Sequence, residues 1–101
     1  MAKYEIKDGV GIIPEGTTKI EREAFKNCQN LTNVVIPDSV TEIGDSAFEG
    51  CIDLTNIVIP NSVESIGKDA FWGCAHLKSI VIPESVTQIR SGGLHGLHGS
   101  D

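Results

Sequence analysis

The sequence predicts an α/β-type repeat solenoid: stacked units of 23 residues, a parallel β-sheet on one side, and short helical or 3₁₀ turns on the other. The stretch from Ile36 to Val58 returns 23 residues later, from Ile59 to Val81. Most of it also occurs 23 residues earlier, between residues 13 and 35. Each unit combines a β-branched run with a short apolar segment built on Ala-Phe. A fixed period of this size is typical of arrays in which neighbouring units share one core.

Several residue types repeat independently at this period. The rows are Pro14, Pro37, Pro60 and Pro83; Ile20, Ile43, Ile66 and Ile89; Ala24-Phe25, Ala47-Phe48 and Ala70-Phe71; and Leu31, Leu54 and Leu77. Because the rows agree in register, the whole central part of the chain is predicted to be one array.

The strands are expected in the β-branched runs that precede the prolines, namely 31–37, 54–60 and 77–83. In the middle run, Ile57 and Ile59 point to one side and Asn56 and Val58 to the other. Equivalent runs must be joined by a full turn of the coil, so the strands are predicted to stack in parallel. Proline has no N–H to donate and therefore ends each strand.

The rest of each unit is too short for a long helix. The segment from Ser46 to Cys51 is predicted to form one helical or 3₁₀ turn, since its apolar residues have i, i+3, i+4 spacing. A shorter extended piece, 41–44, is expected to link the two sides. Gly44 and Gly67 are expected to ease the bend there.

The 101 residues form a single domain with three parts. Residues 1–11 are predicted to be an N-terminal cap, with a short strand around Tyr4 and Ile6 and a turn at Asp8-Gly9. About four repeats occupy 12–91. Residues 92–101 are glycine-rich and depart from the pattern, which predicts a degenerate flexible tail or a weak cap.

Composition excludes several classes of function. With 8 Lys and Arg against 14 Asp and Glu, the net charge is −6, which disfavours nucleic acid. No apolar run is long enough to insert into a membrane, and the first residues lack the apolar segment of a secretory signal. The chain is expected to be soluble, either in the cytosol or as a piece of a longer exported protein.

The cysteines, Cys28, Cys51 and Cys74, occur once per repeat. Their odd number and wide spacing argue against a disulfide framework and a zinc site. We expect a column of buried, unreactive thiols.

No catalytic motif is present, so the chain is predicted not to be an enzyme, and no cofactor or metal is expected. His95 and His98 are spaced i, i+3 in the glycine-rich tail, which would make at most a weak metal site.

The side chains that point away from the core on the predicted sheet form the candidate partner-binding surface. They are Ile12, Asn33, Val35, Asn56, Val58, Ser79 and Val81. An exposed apolar stripe can mark a binding surface. The same valines are also explained by the preference of valine for strands.

A second feature of this region is the set of residues just past the prolines, Glu15, Asp38, Asn61 and Glu84. They would line one rim of the sheet, either as a solvated edge or as a site for a basic partner or a divalent cation.

A second candidate surface lies at the C-terminal end of the array. If the tail does not cover the last repeat, then Ile80, Ile82, Val86 and Ile89 lie beside exposed core and an unpaired strand. Such edges recruit another chain. A homodimer through this end, or through the sheet face, would bury the exposed surface.

The repeat resembles the leucine-rich repeat superfamily, with Leu54, Ile57 and Ile59 at the LxxLxL positions. It is most similar to the 23-residue BspA-like class, through the pattern IPxSVxxIGxxAFxGCxxLxxIVIP from about residue 13 to 89. The resemblance implies a right-handed stack with its strands lining the concave face and its turns on the convex side. It also implies a surface or secreted protein with a role in adhesion or protein binding, and it supplies no catalytic residues.

Two functions therefore stand as hypotheses. The first is a protein-binding module of the cell-surface adhesion type, which uses the concave sheet face to bind a protein of unknown identity. The second is a structural or self-assembling unit, from a fragment or an engineered array, with no outside ligand.

Overall fold

The computed structural model describes residues 4–78 and 80–92, and in these ranges it consists of short strands and turns. The strands are β1 (Glu5–Lys7), β2 (Val10–Ile12), β3 (Lys19–Ile20), β4 (Asn33–Val35), β5 (Glu42–Ile43), β6 (Asn56–Val58), β7 (Ser65–Ile66) and β8 (Gln88–Ile89). They form two four-stranded sheets. Sheet 1 has the order β1-β2-β4-β6, and sheet 2 has the order β3-β5-β7-β8.

The predicted parallel stack is confirmed by the register of sheet 1. Val10 lies opposite Asn33, and Asn33 lies opposite Asn56, so that each partner is 23 residues further along the chain. Each 23-residue unit therefore makes one coil, and β2, β4 and β6 are equivalent strands of successive coils that pair in register.

β1 departs from this pattern because it runs antiparallel to β2. Its register pairs Glu5 with Ile12 and Lys7 with Val10. The hairpin turn uses Asp8 and Gly9, whose φ angles are +52° and +82°. Gly9 suits this left-handed backbone because it has no Cβ. β1 therefore pairs with the edge of β2 that no other coil covers.

Sheet 2 arises from the segments expected only to link the two sides of each coil. The segment 41–44 contains β5, and it pairs in parallel with β3 before it and β7 after it. Gly44 and Gly67 lie beside this sheet, and neither has a positive φ. A Cβ at Gly44 would lie 2.6 Å from the carbonyl oxygen of Ile20. These glycines therefore allow close approach of two coils, a role beyond the bend expected there.

The expected helical or 3₁₀ turns are not found among the described residues. In their place, successive β-turns are bonded from coil to coil. The N–H of Phe48 donates to the carbonyl oxygen of Ala70 at 2.8 Å, and that of Phe25 donates to Ala47 at 2.7 Å. Ser46 has a φ of +58°, which turns its backbone out of a helical path. Alternate N–H groups here donate to the next coil, and those between them donate to the carbonyl oxygen three residues back, as Ala47 does to Gly44 at 3.2 Å, so the segment is a run of turns and not a helix.

The core lies between the two sheets and the turns. Phe25, Phe48 and Phe71 are fully buried and stack face to face, with ring centroids 5.4 Å and 5.3 Å apart. Tyr4 extends this stack, with its ring centroid 5.5 Å from that of Phe25. The remaining core positions are the isoleucines, valines and leucines of the repeating rows.

The strand expected within 77–83 is not present in the described part of that run. Its inward-facing residues Ile80 and Ile82 are only partly buried, whereas the equivalent Ile57 and Ile59 are 4% and 6% exposed. Less apolar burial is available there to hold an extended backbone in place.

Candidate functional site: the outer face of sheet 1

The outer face of sheet 1 presents a row of aliphatic side chains to solvent. This valine row consists of Ile12, Val35 and Val58, which are 43%, 66% and 69% exposed; Val81, 23 residues after Val58 and outside the described strands, is 79% exposed. Their neighbours Val34 and Ile57 are almost completely buried. The alternation follows from the two-residue period of a β-strand, which turns successive side chains to opposite faces.

The register places the members of the valine row directly beside one another. Ile12 lies opposite Val35, and Val35 lies opposite Val58. Neighbouring strands are about 4.8 Å apart, so the row is a continuous apolar strip across the strands. On the same face, Asn33 is partly buried and Asn56 is exposed. The structure thus brings together the predicted partner-binding residues of β2, β4 and β6, while Ser79 lies outside the described residues.

Two shallow depressions lie along the valine row. One has a volume of about 440 Å³ and includes Val35, Val58, Asp38 and Asn61 in its lining. The other has a volume of about 130 Å³ and is lined in part by Ile12, Val35 and Glu15. Because Val35 borders both, the two depressions are neighbours on one surface.

Polar residues frame this surface on the side where the strands end. The exposed residues Glu15, Asp38, Asn61 and Glu84, which we call the acidic rim, follow the prolines of successive coils. β1 adds two further charges, Glu5 beside Ile12 and Lys7 beside Val10. Glu5 and Lys7 were not predicted as members of this face, although the alternation Glu5-Ile6-Lys7 was a signal that could have identified them.

The residues predicted for self-association lie in the fourth coil. Ile80, Ile82 and Val86 are partly buried against the core, and Ile89 is 46% exposed. The equivalent Ile66 is fully buried. The apolar side chains of the last described coil are therefore more accessible than those of the coil before it. The tail residues 93–101, including His95 and His98, lie outside the described residues.

Two further exposed apolar side chains were not singled out from the sequence. Trp72 is 47% exposed and Ile52 is 42% exposed, both on the turns. Trp72 stands where the other repeats have the charged residues Lys26 and Glu49. This replacement of a charged residue by tryptophan was the feature of the sequence that could have indicated an exposed apolar side chain.

A wide, open depression of about 740 Å³ lies beside β3, with Tyr4 in its lining.

The thiols are held in the core, with one exception. Cys51 and Cys74 are fully buried, and burial raises the pKa of each to about 12. Cys28 is only half-buried, so the expected column of buried thiols is correct for two of its three members. Burial also raises the pKa of Cys28. Among residues 4–78 and 80–92, no group of three or more His, Cys, Asp or Glu is arranged to hold a metal ion.

With this geometry established, comparison with known proteins gives the class of the chain. The profile of the BspA type leucine rich repeat region matches residues 10–96 in six copies. The chain therefore belongs to the BspA-type leucine-rich repeat family, as the sequence resemblance predicted. This family is a non-enzymatic repeat fold that serves as a generic protein-interaction scaffold.

Three solved structures place the chain among its relatives. It is 39% identical to a leucine rich cell surface protein of Faecalibacterium prausnitzii A2-165, with a TM-score of 0.80 over 90% of this chain and 25% of that one. A leucine-rich repeat protein of Bacteroides ovatus is 30% identical, with a TM-score of 0.73 over 88% of this chain and 28% of that one. The T. pallidum leucine rich repeat protein is 26% identical, with a TM-score of 0.67 over 92% of this chain and 63% of that one.

The chain thus spans about a quarter of the length of the first two relatives. No curated protein is similar enough to the chain to count as a relative. Within residues 4–78 and 80–92 there is no helix with the length and hydropathy needed to cross a membrane.

Proposed function

We propose that the chain is a protein-binding module of the cell-surface adhesion type, which binds its partner with the outer face of sheet 1. The observation that carries the proposal is the exposure of Val35 and Val58, at 66% and 69%, within a row of aligned aliphatic side chains. A contiguous apolar strip framed by polar residues is typical of interaction surfaces. The similarity to a leucine rich cell surface protein supports a location at the cell surface.

The mechanism requires no movement of the backbone. Each strand of sheet 1 is hydrogen-bonded in register to its neighbour, so the valine row is held in place before a partner arrives. Binding then costs little conformational entropy on this side of the interface. The free energy comes from apolar area removed from water, at about 25 cal/mol per Å².

The test is a selection of binders from a random peptide library, repeated on the Val58→Arg variant. Val58 points outward, so the charge should remove binding while the fold persists. Gln29→Arg is the matched control, since Gln29 is an exposed residue on a turn. We expect peptides that bind the parent chain and Gln29→Arg but not Val58→Arg. If every selected peptide binds all three proteins equally, the outer face of sheet 1 is not the binding site.

The exposure of Ile89 favours a second candidate function, self-association through the fourth coil. Ile89 belongs to β8, whose only partner among the described strands is β7. A second copy of the chain would cover this edge together with Ile80, Ile82 and Val86. Light scattering over a range of concentrations tests this candidate. A dimer that Ile89→Arg dissociates and Val58→Arg does not would support it, and a monomer at every concentration would overturn it.

A further inference from the structure

We propose that the occupant of the valine row is a short, extended protein segment that carries both aliphatic side chains and lysine or arginine on the face it turns to the row. This inference rests on the proposed function and adds the chemical class of the partner. It is drawn from the arrangement of charges around the row, from the depressions beside it, and from the length of the strip.

The charges on this face are separated by sign. The acidic rim carries Glu15, Asp38 and Glu84 on the side where the strands end, and Glu5 stands at the N-terminal end of the row. Lys7 lies beside Val10, on the opposite side of the row from the acidic rim. A segment seated on the row therefore meets carboxylates along this side, with Asn61 as the one uncharged member. Cationic side chains on the partner would complement them.

The depressions connect the acidic rim to the valine row. The one between the second and third coils is lined by both Val58 and Asp38, and the one between the first and second coils by both Ile12 and Glu15. An aliphatic group entering either depression thus lies near a carboxylate. Lysine and arginine can lay their apolar stems on such a surface and direct the charged group to its edge.

The length of the strip sets the length of the segment. The four strands of sheet 1, from β1 to β6, lie about 4.8 Å apart and give a face about 14 Å across, which includes Glu5 beside the valine row. An extended chain advances about 3.3 Å per residue, so about five residues span this face. The occupant crosses the strands of sheet 1 and uses side chains for contact, because the backbone groups of β2 and β4 are already paired with the strands on both sides of them.

A bound cation is the weaker explanation of the acidic rim. Its members project from successive coils, and Asn61 interrupts the series of acids. A hard divalent cation needs about six oxygen ligands gathered around one point. A row of single carboxylates along an edge suits a row of separate cationic side chains better.

The net charge of −6 also favours a basic partner, through attraction that acts before the two surfaces touch. An acidic protein attracts a basic segment from a distance, and this attraction is screened by salt. Binding of a basic occupant should therefore weaken as ionic strength rises.

The experiment is a chemical-shift titration of the folded chain with two blocked peptides of about five residues. One combines valine and lysine in an order that puts both on the same face of the extended chain, and the other has glutamate in place of each lysine. The lysine peptide should bind, with shifts centred on Val35 and Val58, and the glutamate peptide should not. Asp38→Asn and Glu15→Gln should each weaken binding of the lysine peptide by about two- to fivefold. Glu42→Gln removes the same charge from sheet 2 and should leave binding unchanged.

The outcomes separate this inference from the function on which it rests. Equal binding of the two peptides, or binding unaffected by Asp38→Asn, Glu15→Gln and salt, would overturn the basic partner but leave the protein-binding face standing. The same holds if the library yields acidic or uncharged peptides whose binding requires Val58. If neither the library nor the two peptides give binding that Val58→Arg removes, the proposed function itself is wrong.

Discussion

The thiol of Cys51 donates a hydrogen bond to the carbonyl oxygen of Phe25 in the preceding coil, with 2.9 Å between sulfur and oxygen. Cys74 repeats this contact with Phe48, at 3.1 Å. Each thiol therefore supplies a hydrogen-bond donor to a buried carbonyl oxygen and links one coil to the next. Cys28 differs because its thiol donates to the carbonyl oxygen of Lys26, in its own coil, at the longer distance of 3.9 Å.

This difference predicts that the thiols react at very different rates in the native protein. Raising a thiol pKa from 9.0 to about 12 lowers its thiolate fraction about a thousandfold at neutral pH, and the thiolate is the reactive form. We expect one fast-reacting thiol, Cys28, and two protected thiols when the folded chain is treated with an aromatic disulfide reagent. All three should react in denaturant. Cys28→Ser should remove the fast phase, and its persistence in that variant would contradict the assignment.

Stability should fall as the solution becomes alkaline. In the unfolded chain the thiols of Cys51 and Cys74 ionise near their ordinary pKa of 9.0, whereas burial keeps them neutral up to about 12 in the folded chain. Above pH 9 the unfolded state therefore binds fewer protons, and the free energy of unfolding decreases between about pH 9 and 12.

Urea denaturation at several pH values measures this dependence. The Cys51→Ala variant should be less stable at neutral pH, because the substitution leaves a gap in the core. Its stability should nevertheless fall less steeply above pH 9, because one titrating thiol is gone. Equal slopes in the variant and the parent chain would show that Cys51 is not responsible.

The sequence was sufficient to predict the parallel stack and most of its core. A period of 23 residues requires equivalent residues to lie side by side, and the register of Val35 with Val58 follows directly from it. The candidate binding face was predictable for the same reason, since alternation along a strand decides which side chains point outward. The positions of Glu5 and Lys7 on this face were not predicted because both residues lie outside the repeat.

The turns could not be predicted because their backbone depends on neighbouring coils. Spacing of Ala47, Phe48 and Cys51 suggested a helical turn, and all three are indeed buried. However, Ser46 adopts a φ of +58°, although serine shows no strong preference for that conformation. Its N–H donates to Lys68 of the next coil at 2.8 Å, a contact that no local pattern reveals. Sheet 2 was missed for a related reason, since strands of two residues show no measurable periodicity.

The phenylalanine stack should account for a large part of the stability. Phe48 is fully buried and lies between two stacked rings, at 5.4 Å and 5.3 Å. Phe48→Ala should lower the free energy of unfolding by about 3–5 kcal/mol, through lost burial and the cavity left behind. Val58→Ala is the control, since an exposed valine should cost less than about 1 kcal/mol. Urea denaturation measures both, and a loss below about 1 kcal/mol for Phe48→Ala would contradict a continuous core.

Gly67 should be intolerant of any side chain, although its φ is ordinary for other residues. A Cβ placed there would lie 2.5 Å from the backbone nitrogen of Asp45 and 2.6 Å from the carbonyl carbon of Gly44. Both are backbone atoms of the preceding coil, so relief requires the coils to separate. Gly67→Ala should therefore destabilise the chain by about 1–3 kcal/mol or more.

The matched control for Gly67 is the equivalent position in the next coil, where the chain already carries Arg90. Its N–H donates to the carbonyl oxygen of Ile66 at 2.9 Å, and that of Gly67 donates to Ile43 at 2.7 Å, so the coils at Arg90 keep this bond with a side chain already accommodated, whereas those at Gly67 have packed without one. Arg90 is exposed, and Arg90→Ala should change stability by less than about 0.5 kcal/mol. Thermal unfolding of the two variants makes the comparison. If Gly67→Ala is as stable as the parent chain, the two coils have room for a methyl group between them. Close packing of the coils would then not be the reason for glycine at position 67.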